Sequence, residues 1–145
     1  MPKQSPIPDE LDRAFYAAAN EERLVIQHCA GCDRYQHPPK ASCAECGAAD
    51  RLSWREVEGK GTIYSYTVVY DTPVVCLQPD QPFNVALIDL DDCPGISMLS
   101  HLPGTPAGRV PIGAPVRLIF EVTPATGQKV PEWRVVGSGT GTSGS

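Results

Sequence analysis

The chain has 145 residues, 41% of them hydrophobic and 20% charged, which allows one domain with a small appendage and excludes a disordered chain. Twelve Lys and Arg stand against 17 Asp and Glu, and a net charge of −5 argues against a protein built to hold the nucleic-acid backbone. No stretch approaches the roughly 20 apolar residues of a membrane span, and the opening MPKQSPIPDE lacks a secretory apolar run, so a cytoplasmic protein is expected.

Residues 1–8 are polar and proline-rich and are expected to be loose. From Asp9 to about Glu22 the pattern is helical, with Leu11, Ala14, Phe15 and Ala18 on one face, Asp9 as N-cap and Asn20 near the end. Leu24-Val25-Ile26 reads as a short strand that leads into a pair of cysteines, and Leu52-Ser53-Trp54 reads as its return.

Beyond that point the chain is strands and turns. Gly61 to Tyr70 (GTIYSYTVVY) is rich in β-branched and aromatic residues and gives the clearest strand. A proline-punctuated loop, Pro73 to Pro82, precedes a second strand, Phe83 to Leu90, and a turn at residues 91–95. Further strands are expected at Ile96–Leu102, Val116–Val122 and Glu132–Val136, with a long Pro/Gly loop from Pro103 to Gly113. Five short strands with irregular connections suggest a small barrel, closed or partly open. Gly59 and Gly61 suggest a bulge where its first strand begins. The tail GSGTGTSGS is too rich in Gly, Ser and Thr to pack.

Cysteine spacing carries the chemistry. Cys29 and Cys32, then Cys43 and Cys46, form two C-x2-C pairs separated by ten residues. A two-residue spacer lets both thiolates of a pair turn toward one point, and two such knuckles complete a tetrahedron suited to zinc. Four thiolates leave no open position, so the ion is expected to be structural; iron in a similar four-thiolate site is the rival metal. His28 and His37 flank the ligands and read as surface histidines.

Nothing else in the sequence assembles a catalytic constellation. Cys76 and Cys93 lie outside the knuckles, and a cysteine nucleophile needs a base that the sequence does not place beside them; His101 is the one histidine of the barrel half. Asp89, Asp91 and Asp92 read as a solvated turn rather than a calcium loop. Tyr64, Tyr66 and Tyr70 sit at even spacings and would share one face, as core or interface residues rather than a nucleic-acid stacking platform. In the Pro73–Pro82 loop, Val74, Val75 and Leu77 are candidate docking residues. Arg34, Lys40 and Arg55 are candidate phosphate partners, although such charges commonly only solvate a surface.

The run LVIQHCAGCDRYQHPPKASCAECG, followed by LSWREVEGKGTIYSYTVVY, FNVALIDLDD and IGAPVRLIFE, resembles a family of acyl-CoA-associated proteins. Those proteins join an N-terminal rubredoxin-like zinc ribbon to an OB-fold, and were long listed as a domain of unknown function. The resemblance covers about residues 11–136 and rests most on the ribbon with Gln36-His37-Pro38-Pro39 and on Gly59 to Ser65. Similar proteins carry glycine after each cysteine pair; here Gly47 keeps it and Asp33 replaces the other.

The resemblance implies a mainly β chain. It would consist of an N-terminal helical segment (1–23), a zinc ribbon (24–56), a five-stranded OB-fold barrel (57–136) and a disordered tail (137–145). It further implies a non-catalytic accessory or scaffold subunit that binds a thiolase-fold acyl-CoA enzyme, either a thiolase or an aldolase of steroid side-chain degradation. Such a subunit would stabilise its partner and share in acyl-CoA handling. No catalytic residue comes with the resemblance. The alternatives are a nucleic-acid-binding ribbon and OB module, and a free-standing acyl-CoA enzyme.

Overall fold

The structure is a computed structural model that describes residues 5–136; the expected disordered tail, 137–145, and the first four residues of the expected loose terminus lie outside that range. Helix α1 spans Arg13–Asn20. The strands are β1 (Val25–Cys29), β2 (Arg34–Gln36), β3 (Leu52–Glu56), β4 (Lys60–Val69), β5 (Phe83–Leu90), β6 (Ser97–Ser100), β7 (Pro115–Val122) and β8 (Lys129–Val135). Among the described residues no helix is long and apolar enough to cross a membrane.

α1 starts four residues later than its sequence pattern suggests. Asp9 does cap backbone, accepting hydrogen bonds from the N–H groups of Leu11 and Asp12 at 2.9 and 3.1 Å. Those bonds close a turn ahead of the helix, whose regular repeat begins at Arg13. The buried face is accordingly Phe15, Ala18 and Ala19, while Leu11 is exposed. Residues 5–8 are less loose than expected at one end: Ser5 donates to Thr123 Oγ1 at 2.7 Å and accepts from Thr126 N–H. The helix is tied to the barrel at its C-terminal end. Gln128 Nε2 donates to the Tyr16 carbonyl at 2.9 Å and to Asn20 Oδ1 at 3.0 Å, and Lys129 N–H donates to Asn20 Oδ1.

Two sheets follow. The ribbon sheet has the order β2-β1-β3, all antiparallel, and every residue of central β1 is buried. The second sheet, in the order β6-β5-β4-β7-β8, curls into a near-closed five-stranded barrel of OB type. Its core includes Ile63, Ile88, Leu102, Val116 and Trp133, all 2% exposed or less. Burying side chains of this size stabilises the fold by about 1.5–3 kcal/mol each relative to exposure.

One hydroxyl makes two of the hydrogen bonds across the β6–β8 seam, and the His101 N–H adds another to Glu132. Ser100 Oγ donates to Glu132 Oε1 at 2.8 Å and accepts from the N–H groups of Trp133 (3.0 Å) and Leu102 (3.1 Å). Pro131 of β8 has no N–H to offer. Nearby, a groove of about 490 Å³ is lined by Phe15, Tyr16, His37, Met98 and Leu99 together with Pro131.

The expected glycine bulge is displaced. The register of β4 against β5 shifts between Ile63 and Ser65, leaving Tyr64 as the extra residue. Gly59 and Gly61 serve another purpose. Gly59 has φ +82° and a Cβ there would lie 2.6 Å from Leu118 Cβ; a Cβ on Gly61 would lie 2.6 Å from Ile88 Cγ2. Both positions exclude a side chain because strands cross closely.

The bulge also corrects the reading of the tyrosines. Ile63 and Tyr66 pair with Ile88 and Ala86, which share the inner face of β5, so the inward phase changes from odd to even across Tyr64. Tyr66 packs on the core while Tyr64 and Tyr70 are exposed. The three rings therefore do not form one platform.

Candidate metal centre

The cysteine cluster is built by the ribbon sheet. Cys29 ends β1, where β2 and β3 hold it from both sides through Arg34 and Leu52. The chain then turns through Gly31, where a Cβ would lie 3.0 Å from Arg51 Cδ, and Ala30 N–H is fixed by the Arg51 carbonyl at 2.9 Å. Asp33 adopts φ 56°, the left-handed conformation that Gly47 adopts after the second pair at φ 77°. Aspartate thus meets the turn requirement usually met by glycine. In the second knuckle, Gly47 N–H donates to the Cys43 carbonyl and Cys43 N–H to the Ala48 carbonyl, both at 2.9 Å.

All four sulfurs lie within 4.8 Å of one another. Cys29 and Cys46 Sγ are 3.7 Å apart, and Cys32 and Cys43 Sγ are 3.4 Å apart. A zinc tetrahedron with bonds near 2.3 Å has sulfur–sulfur edges of about 3.8 Å, whereas a disulfide is about 2.05 Å. The cluster therefore fits zinc, and all four thiols are free of disulfides. Backbone amides prepare it: the N–H groups of Cys46 and then Glu45 hold the Cys43 thiol down to about 6. Contact with the Cys43 sulfur, followed by burial, pushes Cys32 up to about 12. Four thiols this close cannot ionise together unless a dication offsets their repulsion.

Two glutamines join the knuckles: Gln27, which the sequence did not single out, and Gln36 of the Gln36-His37-Pro38-Pro39 segment. Gln27 Oε1 accepts from Lys40 N–H and from Gln36 Nε2, and Gln27 Nε2 donates to the Lys40 carbonyl. Gln36 in turn donates to the Ser42 carbonyl and accepts from Ala44 N–H. This cross-strand pair fixes the segment that brings Cys43 back to Cys29. Its signal was the β1–β2 register, which cannot be read while β2 goes unrecognised.

The flanking histidines are not surface groups. His28 is buried and its Nε2 lies 2.8 Å from Asp33 Oδ1. His37 is half-buried, with its ring 5.4 Å from that of Phe15, and burial lowers its pKa. His28 lies on the central strand, all of which is buried, with its ring 4.9 Å from that of Tyr35, and His37 turns inward against Phe15 of α1.

The remaining cysteines do not assemble a nucleophilic site with a histidine, whereas His101 gathers with Glu121 and Glu132. Burial, and secondarily Asp92, pushes the Cys93 thiol up to about 11, while Cys76 is exposed. Among the described residues neither thiol is hydrogen-bonded to a histidine; His101 Nε2 lies 2.9 Å from Glu121 Oε1. Asp89, Asp91 and Asp92 accept hydrogen bonds from Ser97, Thr62 and the Glu58 N–H, which fits a locked turn. Arg34, Lys40 and Arg55 are exposed, as are Val74 and Val75, whereas Leu77 is half-buried.

Residues 17–51 match the family description "ChsH2, rubredoxin-like zinc ribbon domain" and residues 54–121 match "ChsH2, C-terminal OB-fold domain". A solved structure titled "Ltp2-ChsH2(DUF35) aldolase" aligns with 90% of this chain and 98% of its own at 31% identity, with a TM-score of 0.76. The chain belongs to the ChsH2 (DUF35) family. The ChsH2 ribbon is a rubredoxin-like zinc ribbon, so the metal of this chain is structural zinc.

Two curated proteins widen the comparison. A probable enoyl-CoA hydratase alpha subunit of Thermomonospora curvata is 39% identical over 110 residues, covering 74% of this chain. The ChsH2-like chain spans only 32% of that subunit's length. A DUF35 domain-containing scaffold protein of Methanothermobacter thermautotrophicus is 27% identical over 111 residues, covering 77% of this chain and 81% of the scaffold.

Proposed function

We propose that this chain is a non-catalytic accessory subunit that docks a thiolase-fold acyl-CoA enzyme in the cytoplasm and stabilises it. In this reading Cys29, Cys32, Cys43 and Cys46 are the four zinc ligands, and the closed site rigidifies the ribbon as a docking surface. The observation that carries the proposal is the match to 98% of a chain in the aldolase structure. Alignment over most of a named scaffold protein supports it. Acyl-CoA handling is then shared across the interface, with steroid side-chain thioesters as one substrate class.

A hydratase partner is the second reading, favoured by the hydratase alpha subunit that shares 39% identity. Affinity purification of the tagged chain from its native lysate, with nuclease treatment and mass spectrometry, tests both. Near-stoichiometric recovery of a thiolase-fold enzyme supports the first reading, and recovery of a hydratase supports the second. Acyl-CoA turnover by the isolated chain, or recovery that depends on nucleic acid, overturns both.

A further inference from the structure

We propose that the outer face of β4, β7 and β8 is a binding site for an organic phosphate, held by Lys60, Arg117 and Arg134. The strand register places Lys60 directly opposite Arg117, and Arg117 directly opposite Arg134. Residues opposite one another in an antiparallel pair project from the same face. The neighbours Gly61, Val116 and Trp133 are buried, so the basic row points outward, and all three of its members are exposed. With strands about 4.8 Å apart, the row spans about 10 Å.

Like charges directly opposite one another destabilise a sheet, and the chain has 17 carboxylates with which to neutralise them. Elsewhere that happens: Arg23 pairs with Glu21 and Lys129 with Glu22, both at 2.7 Å. Among the described residues Lys60, Arg117 and Arg134 make no ion pair and no side-chain hydrogen bond. Glu22 and Glu58 line the cleft that holds Lys60 and Arg117 but not the one that holds Arg134, and Glu22 is engaged by Lys129. The row is thus a standing cost in an acidic protein, of the kind retained where an anion completes the site.

The chemistry of the row favours phosphate. Two arginines offer planar forks that bind phosphate oxygens in pairs, and the lysine adds a point charge. A row of about 10 Å matches a diphosphate or two separated phosphates better than a single carboxylate. Arg117 lines two shallow clefts at once, of about 520 and 340 Å³. Leu118 and Ile119 floor the larger, and Ile119 and Val135 the smaller, which gives the organic part of a ligand an apolar seat. The anion has two sources, a free nucleotide or the phosphorylated end of a coenzyme thioester. The inference does not depend on the accessory-subunit reading.

The test is calorimetric titration of the zinc-loaded full chain with sodium diphosphate, ADP, coenzyme A and a hexaglutamate peptide, with amide chemical shifts followed in parallel. The expected result is saturable, salt-sensitive phosphate binding below about 1 mM, with shifts at residues 60, 117 and 134. Arg117→Gln and Arg134→Glu should each weaken it at least about tenfold while keeping zinc content and melting no lower than the parent. Arg109→Gln should bind like the parent. Tighter coenzyme A than ADP identifies the thioester source, and equal affinities identify a general nucleotide phosphate site. No saturation by about 10 mM, unchanged affinity in both row variants, or equally tight binding of hexaglutamate would overturn the proposal.

Discussion

His28 Nε2 and Asp33 Oδ1 meet at 2.8 Å, linking a buried ring on β1 to an exposed carboxylate in the turn after the first cysteine pair. An ionised carboxylate only accepts, so the ring donates from Nε2. Asp33 therefore has two duties, a left-handed turn and an anchor for His28. Replacement separates them. Asp33→Gly should keep the turn and lose only the hydrogen bond, at about 1 kcal/mol. Asp33→Ala should add a left-handed penalty of about 1–2 kcal/mol. Thermal melts of both variants check this: Asp33→Ala must melt below Asp33→Gly, and the reverse order would refute the two-duty account.

Zinc removal should act on the ribbon. Cys43→Ala should abolish stoichiometric zinc, measured by mass spectrometry under native conditions, and collapse the amide dispersion of residues 25–56. A chelator should reproduce the effect on the parent chain, because the binding free energy of a structural zinc is also folding free energy. Retained ribbon dispersion without metal would rule out the four-thiolate assignment.

Ser100→Ala should open the barrel seam. The change strands the N–H groups of Trp133 and Leu102 and removes a donor from buried Glu132. Each unmet buried group costs about 1–3 kcal/mol, so a loss of about 2–4 kcal/mol is expected from denaturant titration. Ser100→Thr keeps the hydroxyl and should recover part of it. Equal stability of the alanine variant and the parent would show that the hydroxyl does not close the seam.

The two thiols outside the ribbon should react very differently. A thiol pushed up to about 11 stays protonated at pH 8, so Cys93 should resist iodoacetamide in the folded chain while exposed Cys76 is labelled. Peptide mapping after a brief pulse distinguishes them. Labelling of Cys93 at a rate similar to Cys76 would contradict its burial.

Much of this architecture could be read from the sequence where one rule dominated. Phe83–Leu90 alternates cleanly between buried and part-exposed residues, and its strand has the expected limits. The cysteine pairs declared themselves through spacing alone. What escaped the reading depends on strand pairing rather than on a local pattern. β2 is three residues, Arg34–Gln36, too short for any periodicity, and it exists because β1 lies beside it. Without β2, the Gln27–Gln36 pair had no register from which to be inferred. The basic row is equally silent, since Lys60, Arg117 and Arg134 become neighbours only once the strand order is known.

The extra residue at Tyr64 makes β4 a strand spliced from two segments of opposite phase. Its exposed ring can change at little cost, because what the residue adds is length on one strand only. Deleting it would bring the two segments into a single phase with Ile63 and Tyr66 still on the inner face, and would remove the local bend and added twist of the bulge. What the extra residue supplies there is curvature for the barrel wall rather than a side chain.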